Sequence, residues 1–120
     1  EHMSEADRVA NRERQEDELV ALEAMFGEAF ERSQLQGCRI LLGTCLEGTT
    51  SVDIKYPPGY PSAQPPTATF LNLPVGCDAN VVLDDLRVAF SAEVGEVVAS
   101  WIQQVQEMLQ EEHGLEPLDL

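Results

Sequence analysis

Three cysteines, one histidine beyond the first three residues and the adjacent aspartates Asp84 and Asp85 are the side chains weighed first for chemistry. A thiol nucleophile needs a lowered pKa and a donor that stabilises the developing oxyanion. Cys77 lies between Gly76 and Asp78, and a neighbouring carboxylate disfavours the thiolate. It reads as an ordinary loop thiol ahead of a helix cap. No C-x-x-C pair occurs, and Cys38, Cys45, Cys77 and His113 cannot assemble a zinc site at ordinary ligand spacing. Reduced thiols are expected, Cys38 and Cys45 acting as small strand hydrophobes. Asp84 and Asp85 diverge by about 100° on a helix, so they read as a solvated face rather than a catalytic pair. His113 falls at a helix end, where positive charge is welcome, and reads as a capping residue rather than a general base. No glycine-rich phosphate loop follows a strand. Catalysis is not expected, nor is any cofactor or metal.

What remains is a stretch with no obvious chemistry but an unusual composition. YPPGYPSAQPP, residues 56–66, carries five prolines between two strand-like segments. Proline has no N–H for a sheet ladder and fixes its own φ. The stretch is therefore either a loose linker or a stiff connection of one required shape.

The flanking elements favour the second. TTSVDIKY (49–56) alternates, with Val52, Ile54 and Tyr56 facing one way and Asp53 and Lys55 the other, as in a half-buried antiparallel strand. Cys38 to Leu46 precedes it as a short apolar strand, and Thr67 to Leu73 follows, closed by Pro74. A further strand is expected between Glu31 and Gly37. Ahead of the sheet, Ser4 to Phe26 reads as a charged helix with Leu19, Leu22 and Phe26 on its inner face and Gly27 as its cap. The lead-in, residues 3–15, has Val9 as its one sizeable apolar residue and is expected to fray or project. Residues 16–116 form the expected domain. After the sheet, Asp78 or Asn80 caps a helix with Val82, Leu83, Leu86, Ala89 and Phe90 inward. Gly95 breaks it, and a last helix from Glu96 to about Glu112 buries Val98, Trp101, Ile102, Val105, Met108 and Leu109. Gly114 and Pro117 stop that helix. The order predicts a two-layer α+β domain: one N-terminal helix, an antiparallel sheet of three or four strands, and two C-terminal helices packed on the sheet.

Charge narrows the partners. Seven Lys and Arg against 22 Asp and Glu give a net charge of −15 over 120 residues. Such a surface lacks the basic footprint that counterion release from nucleic acid requires, and it opposes an anionic membrane. The longest uncharged run, Tyr56 to Cys77, is broken by prolines and is no membrane span. No signal peptide is recognisable. The opening Glu1 and His2 read as the remnant of a cloning site before Met3, and a cytoplasmic location is the default.

EDELVALEAMFGEAF, the alternating strand, YPSAQPP and ASWIQQVQEML occur here in an order that resembles the RWD domain. That family's signature, Y-P-x-x-x-P, is matched by Tyr60, Pro61 and Pro65, with Pro66 following. The resemblance spans about residues 16–112. It implies that the proline run is a rigid series of turns between two strands, with the Tyr60 ring tucked beneath and its hydroxyl on a backbone partner. It also implies a fold similar to ubiquitin-conjugating enzymes. Those enzymes carry Y-P-x-x-P-P, then His-Pro-Asn, then a nucleophilic cysteine. LPVGCDANVVLDDLRVAF has no His-Pro-Asn, and Cys77 falls where that tripeptide would begin.

RWD domains are implied to be protein-interaction modules, found in the starvation kinase of translation initiation factor 2, in its regulators and in RING-type ubiquitin ligases. RERQEDELVALEAMFGEAF is similar to the start of both kinase and ligase members. The expected function is thus an adaptor that recruits a protein, and the functional reading of the acidity is a partner with a basic surface. Glu13, Asp17, Val20, Ala21 and Ala24, on the outward face of the first helix, are the candidate docking residues. A monomeric domain is expected. The alternative of a self-associating arm over Ala6 to Glu18 has too few apolar residues for a heptad seam.

Overall fold

Alternation and capping account for most of the observed elements. The computed structural model describes residues 4–33, 36–60, 62, 64–92 and 98–118, with the side chains of 89–92 excepted. In chain order these form α1 (Glu5–Phe26), a 3-10 turn (Gly27–Ala29), β1 (Phe30–Arg32), β2 (Gly37–Cys45), β3 (Gly48–Lys55), β4 (Thr67–Leu71), α2 (Ala79–Ala92) and α3 (Val98–His113). The sheet is an antiparallel meander of four strands in the order β1-β2-β3-β4. The early strand expected between Glu31 and Gly37 is β1, which begins one residue earlier and ends at Arg32, paired through Phe30–Ile40 and Arg32–Cys38. The α+β architecture is the one read from the sequence.

One face of the sheet is buried by alternate residues: Cys38, Ile40 and Leu42 from β2, and Val52 and Ile54 from β3, continued by Tyr56. α3 covers that face with Val98, Trp101, Ile102, Val105 and Leu109, all buried. At about 1.5–3 kcal/mol for each large apolar side chain, α3 is a principal anchor of the core. The Trp101 ring lies 5.8 Å from the Phe70 ring of β4, and its Nε1 donates to the Val82 carbonyl of α2 at 3.3 Å. α2 buries Val82 and Leu86. The inward positions expected at Ala89 and Phe90, and the break at Gly95 with the start at Glu96, lie outside what is described.

The ends are capped as their residue types dictate. Ser4 Oγ accepts from Asp7 N, and Gly27 closes α1 at φ 55. Asp78 Oδ1 accepts from Asn80 N at 2.9 Å, which makes Asp78 the cap of α2. Gly114, at φ 67, turns the chain so that Leu115 N reaches the Leu109 carbonyl at 3.0 Å. The tail then pairs with β2 through an isolated bridge between Thr44 and Glu116.

The lead-in differs from expectation. α1 runs unbroken from Glu5, and Asn11 and Gln15 are buried along with Glu18, Leu19 and Leu22. Apolar periodicity fails there because the inward positions are polar. What they contact explains why.

Candidate functional site

Residues 56–66 have few N–H groups, so their carbonyls have little chance of ladder partners and must be satisfied otherwise. α1 supplies the donors. Positions 11, 15 and 18 are spaced four and three apart and fall on one side of a helix. Asn11 Nδ2 donates to the Pro58 carbonyl at 3.1 Å and to Ser62 Oγ at 2.9 Å. Gln15 Nε2 donates to the carbonyls of Pro57 at 3.0 Å and Tyr60 at 2.8 Å. The run closes on itself through Tyr60 N to the Pro57 carbonyl and Gln64 N to the Gly59 carbonyl, at 3.0 and 2.9 Å. Its described residues form a pinned series of turns.

Glu18 completes the clamp. Its Oε1 accepts from the hydroxyls of Tyr56 and Tyr60, each at 2.9 Å, and its Oε2 accepts from the backbone N of Val98 at 3.2 Å. Val98 is the first residue of α3, where helix N–H groups lack internal acceptors, so a carboxylate there acts as a cap from a distant part of the chain. One side chain thus joins α1, the end of β3, the proline run and α3. The two tyrosine rings stack at a centroid separation of 5.1 Å. Burial and the adjacent carboxylate push the Tyr56 hydroxyl pKa upward, keeping it a donor. The Tyr60 ring is fully buried as expected, but its hydroxyl donates to a side-chain carboxylate rather than to backbone. Pro66 is buried and Pro65 exposed; Pro61 lies outside the described residues. Asn11, Gln15 and Glu18 were not singled out from the sequence. Their signal is the polar stripe at helical spacing that continues into Leu22.

The opposite side of α1 is open. Glu13, Asp17, Val20, Ala21 and Ala24 are all exposed and lie within about 100° of helix surface. Val9, Arg12 and Glu16 extend this face into a shallow cleft with Glu13 and Asp17. Glu16 pairs with Arg32 of β1 and accepts from Gln36 Nε2, and those contacts hold its pKa below the ordinary carboxylate value. The arrangement is a rigid helical surface of small apolar groups set among charges.

The residues that could do chemistry are scattered. The Cys77 thiol is pushed up by partial burial and then by Asp78 and Glu112, which is the reverse of an activated nucleophile. Cys38 is buried in the core, and desolvation raises its thiol to about 12. Asp84 and Asp85 are both exposed, Asp84 pairing with Arg87 at 3.2 Å. His113 ends α3. Among the described residues, no group of three or more His, Cys, Asp and Glu side chains is placed to hold a metal ion, and no helix is long and apolar enough to cross a membrane.

The family model described as RWD domain covers residues 13–109, which takes in α1 from Glu13, the sheet, the clamped proline run and α3 as far as Leu109. No curated protein and no solved structure matches the chain significantly.

Proposed function

The chain belongs to the RWD domain family, and on that premise we propose that it is a non-catalytic module that recruits a partner protein through the outward face of α1. RWD domains are generally protein-interaction modules, and this chain keeps the clamp on one side of α1 while leaving the other side free. The observation that carries the reading is this division of one helix. Asn11, Gln15, Glu18, Leu19 and Leu22 are committed inward, whereas Glu13, Asp17, Val20, Ala21 and Ala24 are exposed. A preformed surface loses little conformational entropy on binding. Its acidic groups suit a partner with basic residues around an apolar contact. The setting we favour is cytoplasmic translational stress signalling, with the docking region of a RING-type ubiquitin ligase as the alternative, because residues 12–30 resemble the opening of both kinase and ligase members. Self-association through Ala6 to Glu18 is disfavoured, because the inward side of that segment already holds the chain's own turns.

The test is an affinity capture from cytosol of amino-acid-starved cells, using wild type and the E13K/D17K variant at several salt concentrations. Wild type is expected to retain a translation-control protein that the variant loses, with retention falling as salt rises. Equal retention by both proteins at every salt concentration removes this face. Recovery of ubiquitin-transfer components instead places the domain in a RING-type ligase.

A further inference from the structure

The end of the domain farthest along β2 from the proline run carries a second feature that the α1 surface does not use. The β2–β3 hairpin, the turn at residues 74–77 and the tail after α3 surround a cleft of about 480 Å³, within the size range of natural ligand sites. Its apolar lining comes from Cys45, Leu46, Pro74 and Val75. Leu46 is 102% exposed and Val75 81% exposed, so two large aliphatic side chains flank one depression without covering partners. Glu47 and Glu116 also line it, together with His113, and no Lys or Arg is among its described lining residues.

The walls are held in place. Thr44 and Glu116 exchange two backbone hydrogen bonds, each of 2.9 Å. Asn72 joins the hairpin to the end of β4, its Nδ2 donating to the Thr49 carbonyl at 3.2 Å and its own carbonyl accepting from Thr50 Oγ1 at 2.6 Å. Gly43 is needed where the tail crosses β2, since a Cβ there would stand 2.5 Å from the Glu116 carbonyl oxygen. The cleft is therefore a preformed feature of the backbone rather than a gap between loose side chains.

We propose that this cleft is a second docking site, for an extended peptide segment that inserts an aliphatic side chain between Leu46 and Val75 and carries arginines or lysines on either side of it. An apolar lining that also carries two glutamates selects that occupant by charge complementarity. The proposal does not depend on α1 being the primary docking face.

A methyl NMR titration with a short synthetic peptide, a central leucine flanked by arginines, tests it. Saturable shifts are expected at Leu46 and Val75. Replacing the peptide's leucine by serine is expected to weaken binding at least tenfold. The E47K/E116K variant is expected to weaken it to a similar degree while leaving the thermal midpoint unchanged, since both side chains are exposed. The E13K/D17K variant should bind as wild type does, which separates this site from the α1 face. If the serine peptide binds as tightly as the leucine peptide, the attraction is general charge and the proposal is overturned. Shifts absent from Leu46 and Val75 overturn it equally.

Discussion

Replacing Glu18 by glutamine keeps the volume of the side chain but changes what it can accept. In the wild type, Oε1 takes two tyrosine hydroxyl donors and Oε2 takes the Val98 N–H. A glutamine must turn its NH2 toward one set or the other. Facing Val98, it sets donor against donor at the start of α3. Facing the tyrosines, it can donate to their oxygens, but the hydroxyl hydrogens then lose their acceptor. Either orientation leaves at least one buried donor unpaired, which costs about 1–3 kcal/mol. We expect E18Q to lower stability by about 2 kcal/mol, and E18A by about 3–5 kcal/mol because it also opens a cavity. Tyr60→Phe alone should cost about 1 kcal/mol. The E18Q/Y60F double variant should lose less than the sum of the two singles if the amide faces the tyrosines, where both changes remove the same hydrogen bond, and about the sum if it faces Val98, where Oε1 still accepts from Tyr60. Urea unfolding of the wild type and the four variants reads these values. With a slope of about 2 kcal/mol/M, E18Q moves the midpoint by about 1 M. An E18Q loss below about 0.5 kcal/mol refutes the reasoning, while the degree of additivity with Y60F tells which way the amide faces.

Three further outcomes follow from particular contacts. With its pKa raised to about 12, the Cys38 thiol carries only about one part in ten thousand of thiolate at pH 8, so it should react with iodoacetamide at least a hundredfold more slowly in the folded protein than in urea. Mass spectrometry of labelled peptides measures this. Asp53 is held below its usual pKa first by its hydrogen bonds to Arg39. A carboxylate depressed in the folded state adds stability above its unfolded value near 4 and loses it as pH falls through the folded value. Asp53→Asn should therefore cost no more than about 0.5 kcal/mol at pH 7, given its exposure, and less as the pH falls below 4, as urea midpoints across that range would reveal. Gly43→Ala drives a Cβ onto the Glu116 carbonyl and Leu115 side chain and should cost about 1–3 kcal/mol, with the amide of Thr44 losing its protection from hydrogen exchange.

The sheet and α3 were legible because their physics repeats along the chain. β3 alternates with period two, α3 places Val98, Trp101, Ile102, Val105 and Leu109 at helical spacing, and glycines stand where α1 and α3 end. Strand ends differed by a residue or two, as at Leu46, where the hairpin turn takes the last apolar residue of the run. The clamp was not legible. Asn11, Gln15 and Glu18 are buried for the sake of carbonyls and hydroxyls more than 35 positions away, and an analysis of apolar periodicity counts such residues as solvent-facing. The proline run predicted a rigid connection but could not say what held it, because the donors lie on another element. The outward residues of α1 were recognisable as exposed from spacing alone; their exposure is a matter of geometry, and their role is for binding experiments.

Hydrogen exchange at the amides of Tyr60 and Gln64 tests the central claim most directly, that α1 holds the Tyr/Pro run in one fixed shape. Each amide donates within the run, at 3.0 and 2.9 Å, and each should exchange as slowly as neighbouring β3 amides in the wild type. In the N11A/Q15A variant the same two amides should exchange at least tenfold faster while Val52 and Ile54 keep most of their protection. Exchange at Tyr60 and Gln64 near the unfolded rate in the wild type, or unchanged by the double substitution, would contradict the claim.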